Sequence, residues 1–300
     1  MVAANMDGAP GARHGFPRAL GPAVARGFGA VPPPALVLLG VISLQVGAAF
    51  AKQLFAMAGA TGVVTLRLLF AALVLVVIWR PSLRMERRTL LVVAGYGVVL
   101  AAMNICLYQA IERIPLGVAV TIEFLGPLAV AVFGSRRKLD LLWAVLAGLG
   151  VLLLSHVDGG LEPLGVGFAL AAAVLWASYI LLGAKLGRHT SGGSGLALGM
   201  VFGTLVALPF GITGSGMQLL EPEVLVAGLV VALMSSVVPY SLELEALRRM
   251  PARVFGVLMS LEPAVAALAG LVVLGEALGA LQWLAIGCVV LASVGASRSA

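Results

Sequence analysis

The chain has 300 residues, 61% of them hydrophobic and only 11% charged, against about 25% charged in soluble domains. That balance argues against a water-soluble enzyme or binding module and for an all-α integral membrane protein. A formal charge of +6 does not imply a nucleic-acid partner, because the basic residues lie in short loops and none of their runs is interleaved with aromatics.

Residues 1–34 are rich in Gly, Ala and Pro, carry Arg13, Arg18 and Arg26, and close on Pro32, Pro33 and Pro34. The composition predicts a mobile cytoplasmic tail, too poor in apolar residues to fold alone or to act as a cleaved signal. From Ala35 onward apolar runs alternate with short polar breaks. At about 20 residues per crossing they give ten spans: 35–54, 61–79, 89–111, 115–134, 139–156, 164–185, 194–213, 224–246, 251–274 and 279–296. Cys106 and Cys288 fall inside spans, where a lone thiol is a small hydrophobe and a disulfide framework is implausible.

Lys and Arg accumulate on the cytoplasmic side of a membrane protein. Apart from Lys52, Arg67 and Arg113, all 19 basic residues lie beside alternate loops or the termini, while the opposite loops hold Asp158, Glu162, Glu221 and Glu223. Both termini are therefore expected in the cytoplasm.

A carboxylate, Glu123, stands inside the fourth span, and Pro127 four residues on has no N–H to bond its carbonyl. The surrounding pattern returns in the ninth span, where Arg113, Pro115, Pro127 and Gly134 reappear as Arg249, Pro251, Pro263 and Gly270, each 136 residues on. In that copy the acid, Glu262, adjoins the proline. Lys52 ends the first span and Lys185 the sixth, on opposite sides. Five spans per unit is an odd number, so the pattern predicts two inverted repeats, 35–156 and 164–300, joined by a linker at 157–163. Inverted repeats are characteristic of alternating-access transporters.

Intramembrane ionisable residues are functional candidates by default. At about 1.5 Å per residue, Arg67 lies about 9 Å below the outer face, Asn104 about 11, Glu123 about 12 and Gln45 about 13. Glu262, about 17 Å from the inner face of a core about 30 Å thick, reaches the same layer. A buried arginine is expected to face an acid, Glu123 first and Glu262 second. A purely structural Arg67–Glu123 clasp is the bland alternative.

In the eighth span Tyr240 and Glu243 share a helix face near the inner end, as a gate or entry contact or as a bland polar end, whereas Glu245 is placed to pair with Arg248 and Arg249. Trp176 and Tyr179 share a face of the sixth span, either packing the core or lining a cavity. His156 reads as an interfacial cap. Gly195, Gly199 and Gly203 have helix-packing spacing. There is no Gly-rich phosphate loop and no pair of histidines with metal spacing, so neither a cofactor nor a metal is expected. An intramembrane hydrolase lacks a buried Ser–His or acid–His arrangement.

The blocks SLQVGAAFAKQLF (43–55), TLRL (65–68), IPLGVAVTIEFLGPLAVAVFGSRR (114–137), PYSLE (239–243) and FGVLMSLEPAVAALAG (255–270) resemble the drug/metabolite transporter superfamily in its ten-helix EamA-type branch. Within that branch they resemble the bacterial inner-membrane threonine and homoserine exporters. The long tail and Glu245 depart from the family pattern. The resemblance implies a multi-pass inner-membrane protein whose partners are a small neutral amino acid, protons and the lipid bilayer. A broader drug exporter is the rival reading, since Trp176 and Tyr179 suit aromatic cations. A zwitterionic amino acid in a dry site needs an anion near its ammonium and a cation near its carboxylate, and Arg67 with Glu123 or Glu262 supplies both.

Overall fold

The computed structural model describes residues 31–82, 85–134, 139–154, 160–187, 190 and 193–299. Most of the predicted tail, His156, Asp158 and the basic loop 135–138 lie outside them.

The described residues are helical and contain no strand. In chain order the helices are α1 (Pro33–Gln53), α2 (Phe55–Trp79), α3 (Arg87–Arg113), α4 (Leu116–Glu123), α5 (Leu125–Gly134), α6 (Leu139–Leu154), α7 (Pro163–Leu186), α8 (Ser194–Ser215), α9 (Pro222–Ala232), α10 (Val238–Arg249), α11 (Ala252–Met259), α12 (Glu262–Ala269) and α13 (Ala280–Ser299). A π turn, Leu233–Val237, joins α9 to α10, and another, Gly270–Leu274, extends α12.

Nine helical stretches among the described residues are long and apolar enough to cross a membrane, counting Leu116–Phe133, Pro222–Arg249 and Val254–Leu274 as one each. The expected fifth span, α6, is shorter, with an apolar stretch of Leu142–Val151; its predicted end at 155–156 falls outside the described residues.

Proline sets many of these limits. It opens α1, α7 and α9 within their first two positions, where its missing N–H costs no bond and its fixed φ suits a helix. Before Pro115 and Pro251 the chain is forced out of the helical region. Ile114 (φ −128°, ψ 161°) ends α3 and Met250 (φ −139°, ψ 154°) ends α10 in the same extended form.

Within the fourth span the helix breaks at Phe124, just after Glu123, and within the ninth at Ser260–Leu261, just before Glu262. Pro127 and Pro263 cannot bond the carbonyls of Glu123 and Met259, so each break falls where the ladder already lacks a rung. Helix α4 and helix α11 have the same limits 136 residues apart.

The most extensive packing is of α2 on α8 and α9, α3 on α7 and α8, α6 on α13, α1 on α10, and α4 on α12. Lipid offers no hydrophobic drive between helices, so close backbone approach through small residues carries much of this. The predicted glycine stripe of α8 is such a contact: a Cβ on Gly199 would stand 2.5 Å from the Tyr96 ring, and one on Gly203 3.1 Å from the Gly97 carbonyl. Gly195 lies instead under Leu186 and Thr190.

Candidate substrate and coupling site

Arg67 sits in mid-α2, 3% exposed. Its Nε–H donates to Ser236 Oγ (3.0 Å), Nη1 to the Tyr108 hydroxyl (3.1 Å) and Nη2 to the Ser235 carbonyl (2.8 Å). The Tyr108 ring also lies 5.5 Å from the guanidinium carbon, within cation–π range.

The Ser235 carbonyl is free because Pro239, four residues on, has no N–H. The π turn at Leu233–Val237 rearranges the neighbouring rungs, and Ser43 of α1 donates its hydroxyl to the Met234 carbonyl at 2.8 Å. The interrupted eighth span is thus held by one side chain from α1 and one from α2. π turns inside α-helices occur disproportionately at functional sites.

The expected pairing of Arg67 with an acid is absent in this conformation. No carboxylate among the described residues makes an ion pair with it. The physical reason is that the carbonyl freed by Pro239 and two hydroxyls already occupy three of its five N–H donors. Glu123 lies within electrostatic range without touching.

Glu123 closes α4 and is 4% exposed; Glu262 opens α12 and is 1% exposed. They therefore stand at opposite ends of short helix dipoles, Glu262 at a positive end and Glu123 at a negative one. Glu262 Oε1 is buried with no hydrogen-bond partner. Native structures seldom leave a buried polar atom so.

Of the other predicted residues, Tyr240 and Glu243 are half-buried and electrostatically coupled to Glu262, and Tyr240 also to Arg67. Tyr179 interacts with Tyr240 and Glu243 and stacks on Tyr96 with centroids 4.8 Å apart. Trp176 packs edge-on against Phe124, the residue after Glu123, at 5.4 Å. Arg67 and Glu262 are thus neighbours through Tyr240 and Glu123, with Glu243 and Tyr179 beside them. Asn104 and Gln45 are buried at 2% and 3%, but the Asn104 amide donates to the Leu100 carbonyl of its own helix at 2.8 Å. Glu245 reaches Arg248 at 3.6 Å, the surface pair expected of it.

Sequence reasoning passed over Tyr96, Tyr108, Ser235 and Ser236. The last two had a legible signal, since a proline four residues after a serine in mid-span leaves a carbonyl seeking a donor. The tyrosines had none beyond their being aromatic.

A multi-pass helical membrane protein with a buried arginine, buried acids and interrupted helices has the build of a secondary transporter. The family model described as "EamA-like transporter family" matches residues 163–298. Over 273 residues, 88% of this chain and 91% of the relative, the sequence is 43% identical to the threonine/homoserine exporter RhtA of Escherichia coli K12, and equally to that of Salmonella typhimurium SL1344. The chain belongs to the EamA-like transporter family. A solved crystal structure with 18% identity aligns at a TM-score of 0.59 over 87% of this chain and 96% of its own; this shows a shared fold.

Proposed function

We propose that this protein is a secondary transporter of the bacterial cytoplasmic membrane that exports small neutral amino acids such as threonine and homoserine in exchange for protons. The observation that carries the substrate class is the buried Arg67, whose charge meets no carboxylate, in one cluster with Glu262, whose Oε1 meets no donor. An unpaired buried charge is costly, and the carboxylate of a zwitterion complements Arg67 while Glu262 is left to hold a proton. Arg67 takes the substrate carboxylate and Glu123 the ammonium, while Glu262, beside the break at Ser260–Leu261, carries the proton. The two relatives are threonine/homoserine exporters, which agrees with this substrate class.

Alternating access follows from ten spans in two inverted five-helix repeats. The packing supports this division. Exchanging spans 1–5 with 6–10 leaves 2 on 7, 4 on 9 and 5 on 10 unchanged, and turns 3 on 6 into 8 on 1. Lys52 and Lys185 occupy the last turns of α1 and α7.

Counterflow in reconstituted vesicles tests the substrate. Threonine and homoserine are expected to exchange, and acidic amino acids and an aromatic cationic dye are not. Dye transport without threonine exchange would replace the reading with that of a drug exporter. Orientation is tested separately. With both native cysteines removed, single cysteines at Gly160 and Glu221 are expected to react with an impermeant thiol reagent from outside, and one at Ser135 only after permeabilisation. The opposite pattern inverts the topology.

A further inference from the structure

At the end of the bundle where α1 finishes, one carboxylate ties three segments together. Lys52 Nζ donates to Glu276 Oε1 at 2.6 Å and to the Ile114 carbonyl at 3.1 Å, and the Leu116 N–H, opening α4, donates to Glu276 Oε2 at 2.8 Å. Gly275 turns the chain through φ +70°, so that the Glu276 N–H bonds the Gly270 carbonyl at 3.0 Å. The Glu276 carboxylate then lies over Gly270, where a Cβ would stand 2.7 Å from Oε2. Gln53 Nε2 adds a bond to the Val273 carbonyl at 3.1 Å. Lys52 and Glu276 are 21% and 17% exposed.

Beneath this clasp every residue of α4 is buried. Gly117 meets α12 so closely that a Cβ would stand 2.6 Å from Ala267 Cα. The matching helix of the second half, α11, is in the opposite condition: Val254 is 43% exposed, Phe255 to Met259 are half-buried, and none of its described side chains is buried. At that end Lys185, in the last turn of α7 as Lys52 is in the last turn of α1, is exposed. The residue 136 places before Glu276 is also an acid, Asp140, in the first turn of α6, just after Arg136, Arg137 and Lys138.

We propose that Lys52, Glu276 and the Leu116 N–H form a gate, which holds the pathway shut at the Lys52 end and must break for α4 to part from α12. The conformation described here is the one closed at that end and accessible at the end where Lys185 lies. The proposal rests on the transport reading, but its first readout, the yield of a cross-link, needs no substrate.

In a chain with Cys106 and Cys288 replaced by Ala, Gln53→Cys and Val273→Cys place thiols on neighbouring segments across the closed end. A short, reducible methanethiosulfonate cross-linker is applied in vesicles, and the linked peptide is quantified by mass spectrometry. With the gate intact, linkage is expected to be near complete and to block exchange until reductant is added. Adding Glu276→Gln is expected to lower the yield about fivefold or more, the lower range of a conformational coupling. Lys52→Met, which leaves Glu276 on the Leu116 N–H, guards against a folding defect in the first variant and is expected to act in the same direction. Unchanged yield in Lys52→Met protein that remains monodisperse, or full exchange by the linked protein, overturns the gate. Loss of threonine transport with the cross-linking pattern retained would fault the substrate assignment instead.

Discussion

Arg67→Met is expected to abolish amino-acid exchange at a protein level close to normal. If the guanidinium receives the substrate carboxylate, removing it deletes one partner of a buried charge pair, a loss of about 2–5 kcal/mol. At 1.4 kcal/mol per decade that is a fall of roughly 30- to several-thousandfold in affinity. The variant also strands the Ser235 carbonyl, costing about 1–3 kcal/mol of stability, so solubilised monodisperse protein must be measured beside transport. Tyr108→Phe and Ser236→Ala separate the two contributions, because each removes a hydrogen bond to the guanidinium at 3.1 or 3.0 Å and leaves its charge. Both are expected to retain exchange within about tenfold, the equivalent of one ordinary hydrogen bond. The exchanged pair Arg67→Glu with Glu123→Arg is expected not to recover function, since the Ser235 carbonyl would then confront a carboxylate. Recovery by that double variant would mean the two residues merely neutralise each other. Normal exchange by Arg67→Met would remove Arg67 from the site.

Glu262→Gln is expected to uncouple transport from the pH gradient. The amide keeps the shape and can still hydrogen-bond, but it cannot load or release a proton. Accumulation driven by a pH gradient should fall to its level without one, while threonine exchange at equal pH continues. The placement explains why this acid is chosen. It is 1% exposed, has an oxygen without a partner, and adjoins the break at Ser260–Leu261 where the two sides of the span can move separately. Gradient-driven transport at the wild-type rate in the Gln variant would make Glu262 a brace for the bend. Loss of exchange as well would make it a binding residue.

Much of the architecture was legible because two plain signals govern it. Apolar run length and proline placement locate the ends of α1, α3, α7 and α8 within about two residues. The 136-residue offset anticipated matching segments, and α4 and α11 do share their limits. It gave no indication that their surroundings differ, since burial depends on which partner helix is near at a given moment. Depth along each span brought Arg67, Glu123 and Glu262 to one layer, but depth has no azimuth. The neutral cradle of Tyr108, Ser235 and Ser236 therefore went unread, and a direct Arg67–Glu123 contact was expected in its place. Glu276 was missed for another reason: it stands in a polar break, where an acid ordinarily means only solvent.

The equal limits of α4 and α11 bear on temperature. When one of two matched helices gains cover as the other loses it, the apolar area exposed at one end is withdrawn at the other. Exposure of apolar surface is what gives a conformational change a large heat-capacity difference. An exchange that conserves that surface has almost none, so enthalpy and entropy between its end states stay nearly constant on warming. The balance between two such states then follows a straight van 't Hoff line on warming, without the curvature that a change in exposed apolar surface would add.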